Sequence, residues 1–198
     1  AIGLADTNNL CGALEFAEKI SKVGTQPIIG SQINLSLNNI VEKITLYATS
    51  EIGYKNLTKL SSLSYLKNKN TYEPSCDIED LIAHNEDLIL LTGNYNNFFG
   101  KLFYANKDKY IKTLIEKLKL SFKNRLYLEI QRHGENKEKN WENYLLNLSS
   151  SYDLPLIASQ EVYYLESNMA EAHDALICIG EKQFVDDQNR FRYSNQHY

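Results

Sequence analysis

The chain has 198 residues, a formal net charge of −4 and 43% hydrophobic residues, enough for one domain with a real core and too apolar for wholesale disorder. No apolar run approaches the roughly 18–20 residues of a membrane span, and the opening AIGLADTNN lacks the basic and apolar regions of a secretory signal. The mild acidity argues against a dedicated nucleic-acid-binding surface.

In chain order, Ile2–Leu4 reads as the end of a strand. Asn8 or Asn9 can cap a following helix in which Leu10, Ala13, Leu14 and Ala17 share a face, and Gly24 stops it. Pro27-Ile28-Ile29-Gly30 opens a second strand running towards Leu35, and Lys43–Ala48 is a third. Glu51–Leu66 carries Leu57, Leu60 and Leu63 at helical spacing; Asn68–Pro74 is a polar linker. Asp77–His84 is a short helix and Asp87–Thr92 a strand. Ile111, Leu114, Ile115 and Leu118 form a buried helix face inside the lysine-rich stretch Lys101–Lys119, whose charges read as a solvated surface. Leu126–Ile130 is a strand, and Trp141, Tyr144, Leu145 and Leu148 repeat the helical rule. Leu154–Ala158 is a last strand, and Ala172, Ala175, Leu176 and Ile179 mark a last helix face. Six strands alternating with helices imply an α/β fold with a parallel sheet, of the TIM-barrel type.

Barrels of this type place chemistry after the strand C-termini. The residues there are Asp6, Thr7, Asn8 and Asn9; Ser31 and Gln32; Thr92, Gly93 and Asn94; Gln131, Arg132 and His133; and Ser159, Gln160, Glu161 and Tyr163, with Lys43 at the start of the third strand. Among them Asp6, His133 and Glu161 are the possible metal ligands; the rest are amides, hydroxyls and one cation. A polar, hydrogen-bonded rim without metal is the plainer reading. His133 reads as a packing residue, His173 and Asp174 as structural, and His84 and His197 as having no companions. Cys11, Cys76 and Cys178 are odd in number, have no CxxC spacing and no positioned histidine nearby, which suggests a reducing compartment and argues against a disulfide framework or a cysteine-type zinc site.

Several segments, taken together, resemble a known family. Ala5-Asp6-Thr7-Asn8-Asn9-Leu10-Cys11-Gly12 followed by Pro27-Ile28-Ile29-Gly30 is similar to the "TDH-x-N-(x)2-G … PIIG-x-E" region of PHP (polymerase and histidinol phosphatase) domains. More narrowly, Glu51-Ile52-Gly53-Tyr54-Lys55-Asn56-Leu57, Leu126–Gly134, Leu154–Ala158 and His173-Asp174-Ala175-Leu176 resemble the PHP domain of bacterial DNA polymerase III alpha subunits. The resemblance implies a distorted (β/α)7 barrel. It makes residues 1–198 one PHP domain, with the family's HxH motif and first strand upstream and a polymerase body downstream. Such a piece alone is expected to have an open sheet edge and to be marginally soluble or self-associating.

Active members bind metal at the strand ends and cleave phosphate esters. The chain departs from that pattern. Thr7 stands for the family's His, Gln32 for its Glu, Lys43 for its His, Asn94 for a Cys or His, and Glu161 and Tyr163 for its Asp and His. Losing imidazoles and carboxylates removes the donors that a divalent ion relies on. The implied role is therefore a catalytically inactive structural module that docks a separate proofreading exonuclease subunit. The alternative is a metal-dependent phosphoesterase or 3′–5′ exonuclease holding zinc or manganese with Asp6, His133 and Glu161. Magnesium and DNA would belong to the polymerase domain of the full-length protein. The expected location is the bacterial cytoplasm, with no membrane partner.

Overall fold

The computed structural model describes residues 1–37, 40–67 and 73–198; part of the expected linker, residues 68–72, lies outside them. The elements are β1 (Ile2–Thr7), α1 (Ala13–Lys22), β2 (Pro27–Leu37), β3 (Ile40–Ala48), α2 (Glu51–Leu66), α3 (Ile78–Ala83), β4 (Leu88–Leu91), α4 (Phe98–Tyr104), α5 (Asp108–Phe122), β5 (Leu126–Ile130), α6 (Glu138–Tyr152), β6 (Leu156–Ala158) and α7 (Ala170–Glu181). The six strands form one sheet in sequence order. The α/β barrel-type reading stands, with one difference. β1–β2, β4–β5 and β5–β6 are parallel, but β3 is antiparallel to both its neighbours. Only residues 38 and 39 separate β2 from β3, far short of the dozen or so that a parallel crossover needs. β3 consequently starts earlier than expected, and Lys43 lies inside it, opposite Asn34.

Strand periodicity divides the sheet into two unlike faces. Register places Thr7, Gln32, Thr45, Leu91 and Tyr127 in one row of the inner face, with Lys43, Tyr47 and Glu129 two residues away along their strands and Gln131 just past the end of β5. The outer face carries Ile33, Leu35, Ile44, Leu46, Leu88, Leu90, Leu126 and Leu128. These pack against Leu57, Leu60, Phe98, Phe99, Ile115, Leu118, Phe122, Trp141 and Leu145 in a single buried cluster. The hydrophobic contribution to folding therefore sits between the sheet and helices α2 to α6, leaving the inner face free to be polar.

Three helices differ from their sequence reading. α1 begins at Ala13, with Gly12 before it rather than Asn8 or Asn9 as its cap. Leu14 is 74% exposed, because Ala13, Phe16, Ala17 and Ile20 form the inward stripe. The lysine-rich stretch is two helices. Asn106 adopts a left-handed φ of 56°, and the Lys107 N–H reaches back to the Leu102 carbonyl (2.9 Å), a C-terminal stop. In α7, Leu176 and Ile179 are 64% and 75% exposed, and Cys178 is the buried residue. Asp174 is bonded to Arg190 through both guanidinium arms and His173 lies on Tyr163, which fixes the helix rotation by polar and ring contacts.

The segment EIGYKNL shows why particular residues occur at particular places. Ser50 accepts from the N–H groups of Ile52 and Gly53 (3.1 and 3.2 Å), capping α2. Asn56 donates to the Glu86 carbonyl (3.0 Å). A Cβ on Gly53 would stand 2.2 Å from the Asp87 carbonyl oxygen. Gly53→Ala is expected to destabilise the protein by about 1–3 kcal/mol net, because collision with backbone outweighs the gain in helix propensity. Gly180→Ala, with nothing within 4 Å of the added carbon, should be neutral or slightly stabilising. Denaturant midpoints of the two variants check the contrast.

Candidate active-site cleft

At the end of β1 the side chains serve the fold. The Asp6 carboxylate accepts from the Gly12 N–H (3.3 Å) at the start of α1, where a helix N-terminus favours negative charge. Thr7 donates its hydroxyl to the Gln32 side-chain oxygen (2.8 Å) on the paired strand. Asn8 is left-handed (φ 56°) and buried. Its N–H donates to the Gln32 carbonyl (2.7 Å), its side-chain oxygen accepts from the Asn34 N–H (3.0 Å), and its carbonyl accepts from the Ser61 hydroxyl (3.2 Å).

A second network lies at the ends of β4, β5 and β6. Asn94 donates to Gln131 (3.0 Å), and Gln131 donates to Glu129 (3.0 Å) and Ser159 (3.1 Å). Ser159 donates to the same Glu129 oxygen, Oε1. Glu129 is buried and its Oε2 has no hydrogen-bond partner. Burial pushes its carboxyl above the ordinary carboxylate range; bonds from Ser159 and Gln131 pull the other way.

His133 follows β5 and is 1% exposed. Glu138, the first residue of α6, accepts from the backbone N–H of His133 (2.7 Å) and of Glu135 (3.0 Å), and its Oε1 lies 3.1 Å from His133 Nδ1. His133 Nε2 accepts from the Glu161 N–H (3.3 Å). Nδ1 must therefore carry the proton and donate to Glu138. Tyr163 hydrogen-bonds to Tyr193 (3.3 Å) and stacks on His173 (5.1 Å between ring centres). Burial, and then the Tyr193 contact, push its phenol far up.

Lys43, Asn94, His133, Glu161 and Tyr163 converge on one open cleft of about 300 Å³. Thr7, Gln32 and Asp6 do not line it. The Lys43 ammonium lies 3.8 Å from Glu161 Oε1. Residues that the sequence reading did not place at the site also line it, among them Tyr95, Glu135, Phe191, Tyr193 and His197. His197 is not without companions. Its ring lies parallel to His133 at 3.9 Å. Only the density of rings in residues 191–198 signalled this, since the segment has no helical or strand period.

The donor set does not fit a divalent ion. Among the described residues, no three His, Cys, Asp or Glu side chains are grouped to hold one. Both nitrogens of His133 are engaged within the protein, Glu161 faces a lysine, and Asp6 is turned to α1.

Residues 1–133 match the PHP domain family. The chain belongs to that family. DNA polymerase III alpha subunits are similar to this PHP chain along most or all of its length. The protein from Caulobacter vibrioides is 35% identical over the whole chain, that from Rickettsia felis 39% over 90% of it, and that from Escherichia coli 30% over all of it. The chain spans 15–18% of the length of these relatives. Among solved structures, a Bifidobacterium adolescentis protein described as a metal-dependent phosphoesterase superposes with a TM-score of 0.50 at 11% identity, over 81% of this chain and 76% of that one. That likeness concerns the PHP fold alone.

Glu129 gives a test of the inner face. A carboxyl whose folded pKa lies above its unfolded value destabilises the fold once ionised. The penalty is complete above the folded pKa and disappears below the unfolded value, near 4.3. Glu129→Gln should therefore raise the denaturation midpoint at pH 8, and the advantage should shrink as pH falls towards 5. Equal destabilisation at both pH values would show that the carboxylate is held by a partner.

Proposed function

We propose that this chain is the PHP module of a bacterial DNA polymerase III alpha subunit, acting in the cytoplasm as a catalytically silent brace and as a dock for a separate proofreading exonuclease. The observation that carries the reading is the state of His133, the one histidine that the strand ends contribute. It donates to Glu138 through Nδ1 and accepts from Glu161 through Nε2, leaving no lone pair for a metal. The polar groups around it are likewise turned on each other, as Asn94, Gln131, Ser159 and Glu129 show. Similarity to alpha subunits along the chain supports the polymerase context. DNA synthesis, its magnesium and contact with DNA belong in this reading to the remaining length of the full protein.

The site does its work without a reaction. Lys43 neutralises Glu161, and the amide and hydroxyl groups satisfy buried polar atoms that would otherwise cost stability. The test is elemental mass spectrometry on the full-length protein incubated with zinc, manganese or iron, together with co-purification against the cognate exonuclease. The expected outcome is less than about a tenth of an equivalent of zinc, manganese or iron retained, and a stable complex with the exonuclease. Tightly held metal together with a 3′-exonuclease activity that Glu161→Ala abolishes would place phosphoester cleavage first.

A further inference from the structure

The cleft contains a narrow slot that the proposed role leaves unused. One wall is the His133 ring and the other is Tyr163 with Tyr193. The His197 ring fills it, parallel to His133 at 3.9 Å and 6°, 5.0 Å from Tyr163, and 5.0 Å edge-on to Tyr193. His197 Nδ1 lies 3.0 Å from the Glu161 carbonyl oxygen. A carbonyl can only accept, so this ring nitrogen carries the proton and donates. His197 is 3% exposed, and its Nε2 is buried with no partner among the described residues.

The surrounding backbone is fastened by the same contact. The His197 carbonyl accepts from the N–H groups of Tyr163 (2.9 Å) and Tyr164 (3.3 Å). The Ser194 carbonyl accepts from the Tyr164 hydroxyl (3.2 Å). Gln160 donates to the Gln196 carbonyl, and Ser194 to the His133 carbonyl. Arg190 grips Asp174 of α7. Residues 190–197 are thus tied to the loop after β6 and to α7, and Phe191, Tyr193 and His197 form part of the cleft wall.

We propose that the slot between His133 and Tyr163 is a binding site for a planar heteroaromatic ring with an N–H donor, and that His197 is its resident occupant, holding residues 190–197 as a strap over the cleft. The chemistry selects this ligand class. Parallel ring faces favour a flat π system over an aliphatic chain, and the Glu161 carbonyl demands a donor at the ring edge. An external ring enters only by displacing His197, so the strap decides access. The inference is independent of the cleft's catalytic status and of the polymerase context.

Hydrogen exchange read by mass spectrometry on the full-length protein tests it. In His197→Gly, the amides of Tyr163 and Tyr164 should exchange roughly tenfold faster or more, while those of β3 and β4 stay protected. Millimolar 4-methylimidazole replaces the missing side chain and should restore protection. Neutral 1-methylimidazole has the same ring without an N–H donor and, at a pH above both compounds' pKa values, should not. Unchanged exchange in the glycine variant, or equal rescue by both compounds, overturns the proposal. If the glycine variant unfolds globally, His197→Phe decides, because a phenyl ring stacks but cannot donate. Reduced protection at Tyr163 and Tyr164 then supports the slot, and protection equal to that of the unaltered protein rejects it.

Discussion

The cleft is organised by one carboxylate, Glu138. It sits at the start of α6, takes two backbone N–H groups from the turn after β5, and receives the His133 ring proton. Charge-assisted bonds of this kind are worth roughly 1.5–3 kcal/mol each, and the helix N-terminus adds to them. The consequence propagates outward. With Nδ1 fixed as the donor, Nε2 accepts from Glu161, which positions the loop after β6. That loop presents the Glu161 carbonyl to His197, and the C-terminal segment follows. Removing the Glu138 carboxylate would release a sequence of contacts spanning three elements.

The two faces of the sheet divide the labour between stability and specificity. The outer face is continuous hydrocarbon under five helices. The inner face holds amides, hydroxyls and one buried acid, linked pairwise across strands. A carboxamide at 32 or 94 makes hydrogen bonds without carrying charge, so the inner face stays compatible with burial. Glu129 is the exception, a buried acid with one oxygen unmatched.

Much of the fold was legible because it depends on local rules. The helical stripes of α2, α5 and α6 and the apolar strands β4 and β5 followed from periodicity. The direction of β3 was hidden by reading each strand as one more βα unit, although the stretch left between Leu35 and Lys43 was already too short for a crossover. Leu14, Leu176 and Ile179 were assigned inward because periodicity finds a stripe without saying which of two adjacent stripes is covered. Helix α7 is oriented by Arg190 and Tyr163, residues distant in sequence. The site was legible in part: Lys43, Asn94, His133, Glu161 and Tyr163 meet, whereas Thr7, Gln32 and Asp6 bond elsewhere. His197 reaches the cleft through a segment without secondary structure, and no local pattern encodes such a contact.

The ring of Tyr47 lies against two glycines of the inner face. A Cβ at Gly30 would stand 2.5 Å from the Leu46 carbonyl as well as from this ring, whereas the three atoms nearest a Cβ at Gly3 all belong to the Tyr47 side chain, the first at 3.1 Å. The two glycines are therefore constrained in different ways. Position 30 is closed to any side chain by the backbone itself, whatever residue stands at 47. At position 3 the nearest obstacle is a side chain, so a larger residue there is accommodated by a small shift of Tyr47 or by a smaller residue at 47, and the two positions are coupled in size.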